Sequence, residues 1–229
     1  LIGKYQYKVP SILLRDLMKK WIFMTTITGY YTSSPESTVE KEFADSRNIL
    51  TVEDFVKYYN GIIKSQFTDD YFERTLPNVL TTSSTQSPVW YGYVASLNLL
   101  NYPMLFSTTP VSNFFVVGAS GDKSSIDIHH IFPKNYLSET LGINDDRERN
   151  QIANYTYLDY TTNIDISDNP PSDYVSHYRL KLGEEGYKTA CSQNALPDNF
   201  ENLEYYDFLD KRRVLMADII RNAYKKLNS

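Results

Sequence analysis

Ser125-Ile126-Asp127-Ile128-His129-His130-Ile131-Phe132-Pro133 is the stretch on which the fold and the chemistry turn. It holds two of the chain's three histidines, side by side at the end of an alternating apolar run. Such a run reads as a short strand. Consecutive residues on an extended segment point to opposite faces. A His-His pair at a strand end can therefore aim one imidazole at a metal ion and the other at a substrate. Histidine suits both tasks, because its pKa lies near neutrality and its neutral ring is the commonest metal ligand. Downstream, Asn154 and Asn163 flank a second apolar run, Tyr155-Thr156-Tyr157-Leu158.

Hydrolysis of a phosphodiester needs an activated water, charge stabilisation at the phosphate and help for the departing oxygen. A histidine near neutral pKa serves the first need as general base. A divalent ion on hard or borderline ligands serves the other two. The base also needs orienting, and an Asn side-chain carbonyl or a backbone carbonyl on its second ring nitrogen does this. His129, His130, Asn154 and Asn163 can fill these roles between them.

The segment Asp127 to Pro133, followed in order by Asn154 and Asn163, resembles the HNH motif of the His-Me finger (ββα-metal) nucleases. The resemblance implies that His129 is a metal ligand, His130 the general base, Asn154 the residue orienting the loop, and Asn163 the second metal ligand. Trp21 to Tyr31, Ile128 to Leu137, Asn163 to Tyr174 with its double proline, and Phe208 to Arg212 are similar to the C-terminal nuclease portion of GmrSD-type modification-dependent restriction endonucleases. That implies a bacterial, cytoplasmic enzyme of phage defence that cuts base-modified DNA with Mg²⁺ or Mn²⁺. It also implies an upstream nucleotide-binding domain in the same longer chain. No glycine-rich phosphate loop occurs in these residues, so nucleotide dependence is not inferred for this piece.

Each of these residues also has a plainer reading. His130 as a buried histidine satisfied by the backbone, and His129 as a surface histidine, are weaker readings because the pair sits in one ordered pattern. Asn154 is otherwise a turn residue that starts a strand, and Asn163 otherwise a helix cap. Asp127, two residues before His129, is either an aid to the metal or a solvated strand acid. Lys211 and Arg212 on the last helix are candidate phosphate contacts, and the Phe208-Leu209-Asp210-Lys211-Arg212 context places Arg212 near the active site. Lys225 and Lys226 read as charge matching of a helix C-terminus, and His177 as structural. The rival function is a non-catalytic module that binds DNA or reads its modification.

Bulk properties set the frame. The chain has 229 residues, 41% hydrophobic and 22% charged, the balance of a globular protein able to bury a sizeable core. Its net charge of −5 argues against indiscriminate coating of nucleic acid, but a nuclease needs only local positive charge. The single cysteine, Cys191, excludes an intrachain disulfide and a multi-cysteine zinc site. It reads as a passive thiol and fits a reducing cytoplasm. Arg15, Lys19 and Lys20 interrupt the first apolar region, which is neither a signal peptide nor a membrane helix. The sequence starts at Leu1 without a methionine and reads as a piece of a longer protein.

The expected fold is α+β: a predominantly helical domain with an embedded ββα-metal motif. Apolar steps of three and four residues predict helices over 12–25, 36–44, 51–66 and 89–100, then 173–182 and 203–227. Short strands are expected at 113–117, 126–132 and 155–158, with Gly118 to Asp122 as a separating turn and Gly183 to Asn199 as loop. Residues 1–110 are expected to pack on a nuclease core at 111–182, and 183–229 to complete the same domain.

Overall fold

Three helices open the chain: α1 (Ser11–Thr28), α2 (Pro35–Ser46) and α3 (Val52–Gln66). The computed structural model describes Gly3 and residues 8–115 and 126–229, with the backbone alone at 114, 126 and 127. Local chemistry sets the helix starts. The Thr51 hydroxyl oxygen accepts from the Asp54 N–H at 3.1 Å, and Thr51 donates in turn to the Asp54 carboxylate at 2.9 Å, satisfying a donor that the first turn leaves open. Ser87 does the same for α5 (Pro88–Leu100), accepting from Trp90 N–H at 3.3 Å with proline at the first helical position.

Between α3 and α5 lies an element that the sequence reading did not mark. A π turn at Tyr71–Thr75 runs directly into the short helix α4 (Leu76–Val79), where Leu76 is fully buried. Helix α5 packs against α1 so closely that a Cβ at Gly92 would lie 2.3 Å from Ile27 Cγ1. The last helix, α9 (Tyr205–Leu227), lies against both. Met24, Leu97 and Ile220, one from each helix, are buried in the common core. Burial of such side chains is the main favourable term, at roughly 25 cal/mol per Å² of apolar surface.

The second part is a hairpin. Strand β1 (Ile126–His130) pairs antiparallel with β2 (Tyr155–Asp159), with His129 opposite Thr156 and His130 opposite Tyr155. The connection between them holds a π turn at Tyr136–Thr140, the short helix α6 (Asp146–Arg149) and a 3₁₀ turn at Ile152–Asn154. Helix α7 (Tyr160–Ile166) follows β2 immediately, capped by the Asp159 carboxylate, which accepts from Thr162 N–H at 2.8 Å. It packs against both strands. The chain then continues as α8 (Pro171–Gln193).

The mostly helical α+β architecture is as expected. Two elements differ. Val111–Phe115 is a 3₁₀ turn, not the start of a strand, because the Pro110 carbonyl accepts from Asn113 N–H at 3.1 Å and closes a turn there. Residues 116–117 and the expected turn at Gly118 to Asp122 lie outside the described residues. Residues 184–193 are helical where loop was expected. Gly183 does break the axis, with φ +70°, but the following turns resume and bury Tyr187, Ala190 and Cys191. Among the described residues no helix is long and apolar enough to cross a membrane.

Candidate active site

Asn154 is the anchor of the hairpin's closed end. Its backbone carbonyl accepts from Ile131 N–H at 2.8 Å, carrying the ladder one residue past β1. Its side chain then does what a strand backbone would do. Oδ1 accepts from Phe132 N–H at 2.9 Å and Nδ2 donates to Phe132 O at 3.0 Å. Nδ2 also donates to Arg149 O at 3.2 Å. The residue has no exposed surface, so all of these bonds are made where water cannot substitute. The Tyr174 hydroxyl donates to Ile131 O at 3.0 Å, and the Phe132 ring packs on Phe208 and Tyr205. The turn after His130 is thereby fixed on every side.

His130 stands at the end of β1, half-buried, with the Tyr155 ring edge-on at 4.7 Å between centroids. Its Nε2 lies 3.0 Å from Asn150 Oδ1. An amide oxygen can only accept, so Nε2 carries the hydrogen and Nδ1 is the basic nitrogen. Burial lowers the pKa of the ring to about 4. The bond to Asn150 works in the opposite direction, while the nearby charges of Lys134, His129 and Arg149 lower it further. The ring is therefore neutral at neutral pH.

Asn150 was not among the residues singled out from sequence. It sits just past α6, its N–H bonded to Asp146 O at 3.0 Å. That short helix is held from outside: the Tyr205 hydroxyl donates to Glu148 O at 2.9 Å and to Arg149 O at 3.3 Å. Tyr206 donates to the Glu148 carboxylate at 2.9 Å. The signal available in the sequence was the need for a carbonyl on the second imidazole nitrogen, which Asn150 meets and Asn154 does not.

Strand alternation places His129 on the face opposite His130, across from the buried Thr156. His129 and Asn163 are both partly buried, and the packing of α7 on β1 brings their elements together. An amide oxygen is a ligand type that hard ions such as Mg²⁺ and Mn²⁺ favour, whereas an imidazole nitrogen favours softer divalent ions. Among the described residues no group of three or more His, Cys, Asp and Glu side chains could hold a metal ion. The Asp127 side chain lies outside the described residues; its backbone pairs with Leu158.

Arg212 differs from expectation. It is completely buried, donating from Nη1 to Ala153 O at 2.7 Å and from Nη2 to Asn194 O at 3.3 Å. A guanidinium enclosed in this way offers nothing to a phosphate. The expected nucleic-acid contact gives way to an internal brace on the residue next to Asn154. Its neighbour Lys211 is exposed on α9. Arg213 pairs with Asp210 at 2.6 Å and donates to Gln151 Oε1 at 3.1 Å, adding a second tie to the segment that carries Asn150.

No family model, curated protein or solved structure matches this chain. Function is read from the residues. His177 is exposed on α8 with its ring against Tyr178. Cys191 is buried, and burial pushes its thiol up to about 11, leaving it protonated and inert at neutral pH.

Proposed function

We propose that the chain is a metal-dependent DNA endonuclease unit of the HNH (His-Me finger) type, hydrolysing phosphodiester bonds. The observation that carries this reading is a neutral His130 locked by Asn150 at the end of a hairpin braced by Asn154. A buried structural histidine has no need of a bare, oriented basic nitrogen beside a second histidine.

His130 Nδ1 takes the proton from the attacking water, while the Nε2 bond to Asn150 holds the ring in the required tautomer. Asn154 fixes where β1 ends and so where the two histidines stand. His129 and Asn163 would hold one divalent ion, Mg²⁺ or Mn²⁺. Such an ion, when bound, neutralises charge on the phosphate and on the leaving oxygen. Lys134 is exposed and near enough to His130 to depress its pKa, which gives a backbone phosphate a local cation despite the net charge of −5. The substrate class is DNA, base-modified by analogy with the restriction endonucleases that the motif resembles. On the same analogy its partner is an upstream nucleotide-binding domain in a longer chain, in bacterial defence.

The test is cleavage of plasmid DNA, unmodified and base-modified, by the purified chain with Mg²⁺ or Mn²⁺, beside His130→Ala. Metal-dependent cutting that falls by roughly 10²–10⁴ in the variant is the expected result. Undiminished cutting by His130→Ala sinks the assignment. Salt-sensitive DNA binding with no cleavage of either substrate would make the chain a reading module instead.

A further inference from the structure

Arg149 is the last residue of α6, one position before the Asn150 that holds His130. Three bonds fix its backbone. The N–H donates to Asp145 O at 3.1 Å, and the carbonyl accepts from Asn154 Nδ2 at 3.2 Å and from the Tyr205 hydroxyl at 3.3 Å. The side chain is far less committed. Nη2 donates to one oxygen of the Asp146 carboxylate at 2.7 Å, while Nε is buried and meets no acceptor among the described residues. Nε and Nη2 form one edge of the guanidinium, two parallel N–H donors that suit a carboxylate or a phosphate bidentately. Asp146 fills half of that edge.

A structural ion pair explains this arrangement poorly. The Asp146 side chain is 77% exposed, against 18% for Arg149, and a pair with so exposed a member contributes little to stability. A buried donor without an acceptor is a cost that calls for a reason. Arg213, whose Nε is also buried, at least has both arms bound, to Asp210 and to Gln151; Arg149 has one. The other acids of α6 and its cap are engaged elsewhere, Asp145 accepting from Arg147 N–H at 2.6 Å and Glu148 from the Tyr206 hydroxyl. Lys134 and Arg149 both bear on the His130 ring as positive charges, so an anion brought to the base meets cations.

We propose that Arg149 is a phosphate-binding residue of the His130 site, its Nε and Nη2 gripping a DNA phosphate in place of the Asp146 carboxylate. Asp146 is then a placeholder that keeps the guanidinium paired while no DNA is bound. Exchange of one anion for the other leaves the arginine neutralised throughout, and the second phosphate oxygen gives Nε the acceptor it lacks. The proposal rests on the nuclease reading for its ligand, a phosphodiester.

The test follows binding of a fluorescein-labelled DNA duplex to the intact chain by anisotropy, without metal and over a range of salt. Arg149→Gln should bind about tenfold more weakly, with a salt slope shallower by about one. Arg149→Lys should recover the slope but not the full affinity, because an ammonium lacks the fork. Asp146→Asn should tighten binding about twofold or more, and that gain should vanish when Arg149→Gln is added. Thermal unfolding checks that each variant is folded. A merely structural pair predicts otherwise: both single variants lose stability and neither changes the slope. Unchanged affinity and slope in Arg149→Gln overturn the proposal. So does a gain from Asp146→Asn that survives in the double variant, or a wild type with no salt-dependent binding. Cleavage with Mg²⁺ or Mn²⁺ keeps the two readings apart. Loss in His130→Ala with full activity in Arg149→Gln retains the nuclease and overturns the role of Arg149. Arg149-dependent binding with no cleavage by the wild type retains Arg149 as a phosphate contact and overturns the nuclease.

Discussion

Which nitrogen of His130 is basic depends on Asn150, twenty positions away in sequence. Asn150→Leu should lower kcat for DNA cleavage by about 10- to 100-fold, the usual effect of losing a partner behind a working histidine. DNA affinity and metal affinity should hold. Asn150→Asp keeps an acceptor on Nε2 and should retain most of the activity. Equal loss in both variants would reduce Asn150 to a structural residue. The low pKa of His130 has its own consequence for the metal-free chain. The folded ring titrates near 4 and the unfolded ring near 6.5. Between those values the unfolded state binds more protons, so stability falls as pH drops through that window and is unaffected above it. Urea denaturation at about pH 7.5 and about pH 5 should show this decline in wild type, and a smaller one in His130→Gln.

At the level of elements, the hairpin depends on one amide. Asn154→Ala leaves the buried N–H and carbonyl of Phe132 without partners, at a cost of roughly 2–4 kcal/mol. A fall in the urea midpoint, with activity lost in parallel, is the expected pattern; an unchanged midpoint would show that the brace is dispensable. Strands β1 and β2 and the Thr51 and Ser87 caps were legible because each is a local pattern. Other features were not local. Tyr71–Val79 is a π turn running into α4, with Pro77 in the first helical turn where it is tolerated, and no local pattern marks it. Gly183 reads as an end because its conformation is that of an end, while the burial of Tyr187 and Cys191 restores the helix beyond it. Asn150 is meaningful only once the fold brings it to His130. Arg212 was read as a phosphate contact through the resemblance of its Phe208-to-Arg212 context. Its spacing from Phe208 and Met216, four residues either side and both buried, had already placed it on the inner face.

Over the whole molecule, α9 is the member that joins the parts. One face packs on α1 and α5, its first turn holds α6 through Tyr205 and Tyr206, and Arg212 reaches Ala153 and Asn194. Arg212→Ala should destabilise the chain by about 3–5 kcal/mol, since it strips a charged donor from two buried carbonyls. Amide exchange at Leu97, which reports the helices, and at Phe132, which reports the hairpin, should shift together. Loss of one signal alone would mean that the two regions unfold separately. The same bracing limits what can be cut away. A lone two-stranded hairpin is marginal in water, and here the side chains that hold His130 and the turn after it include Asn150, Asn154 and tyrosines of α8 and α9. The centre is not a transplantable cassette: a peptide of residues 126–166 should give a random-coil circular dichroism spectrum, and grafting it onto another scaffold would carry the two histidines without the grammar that orders them.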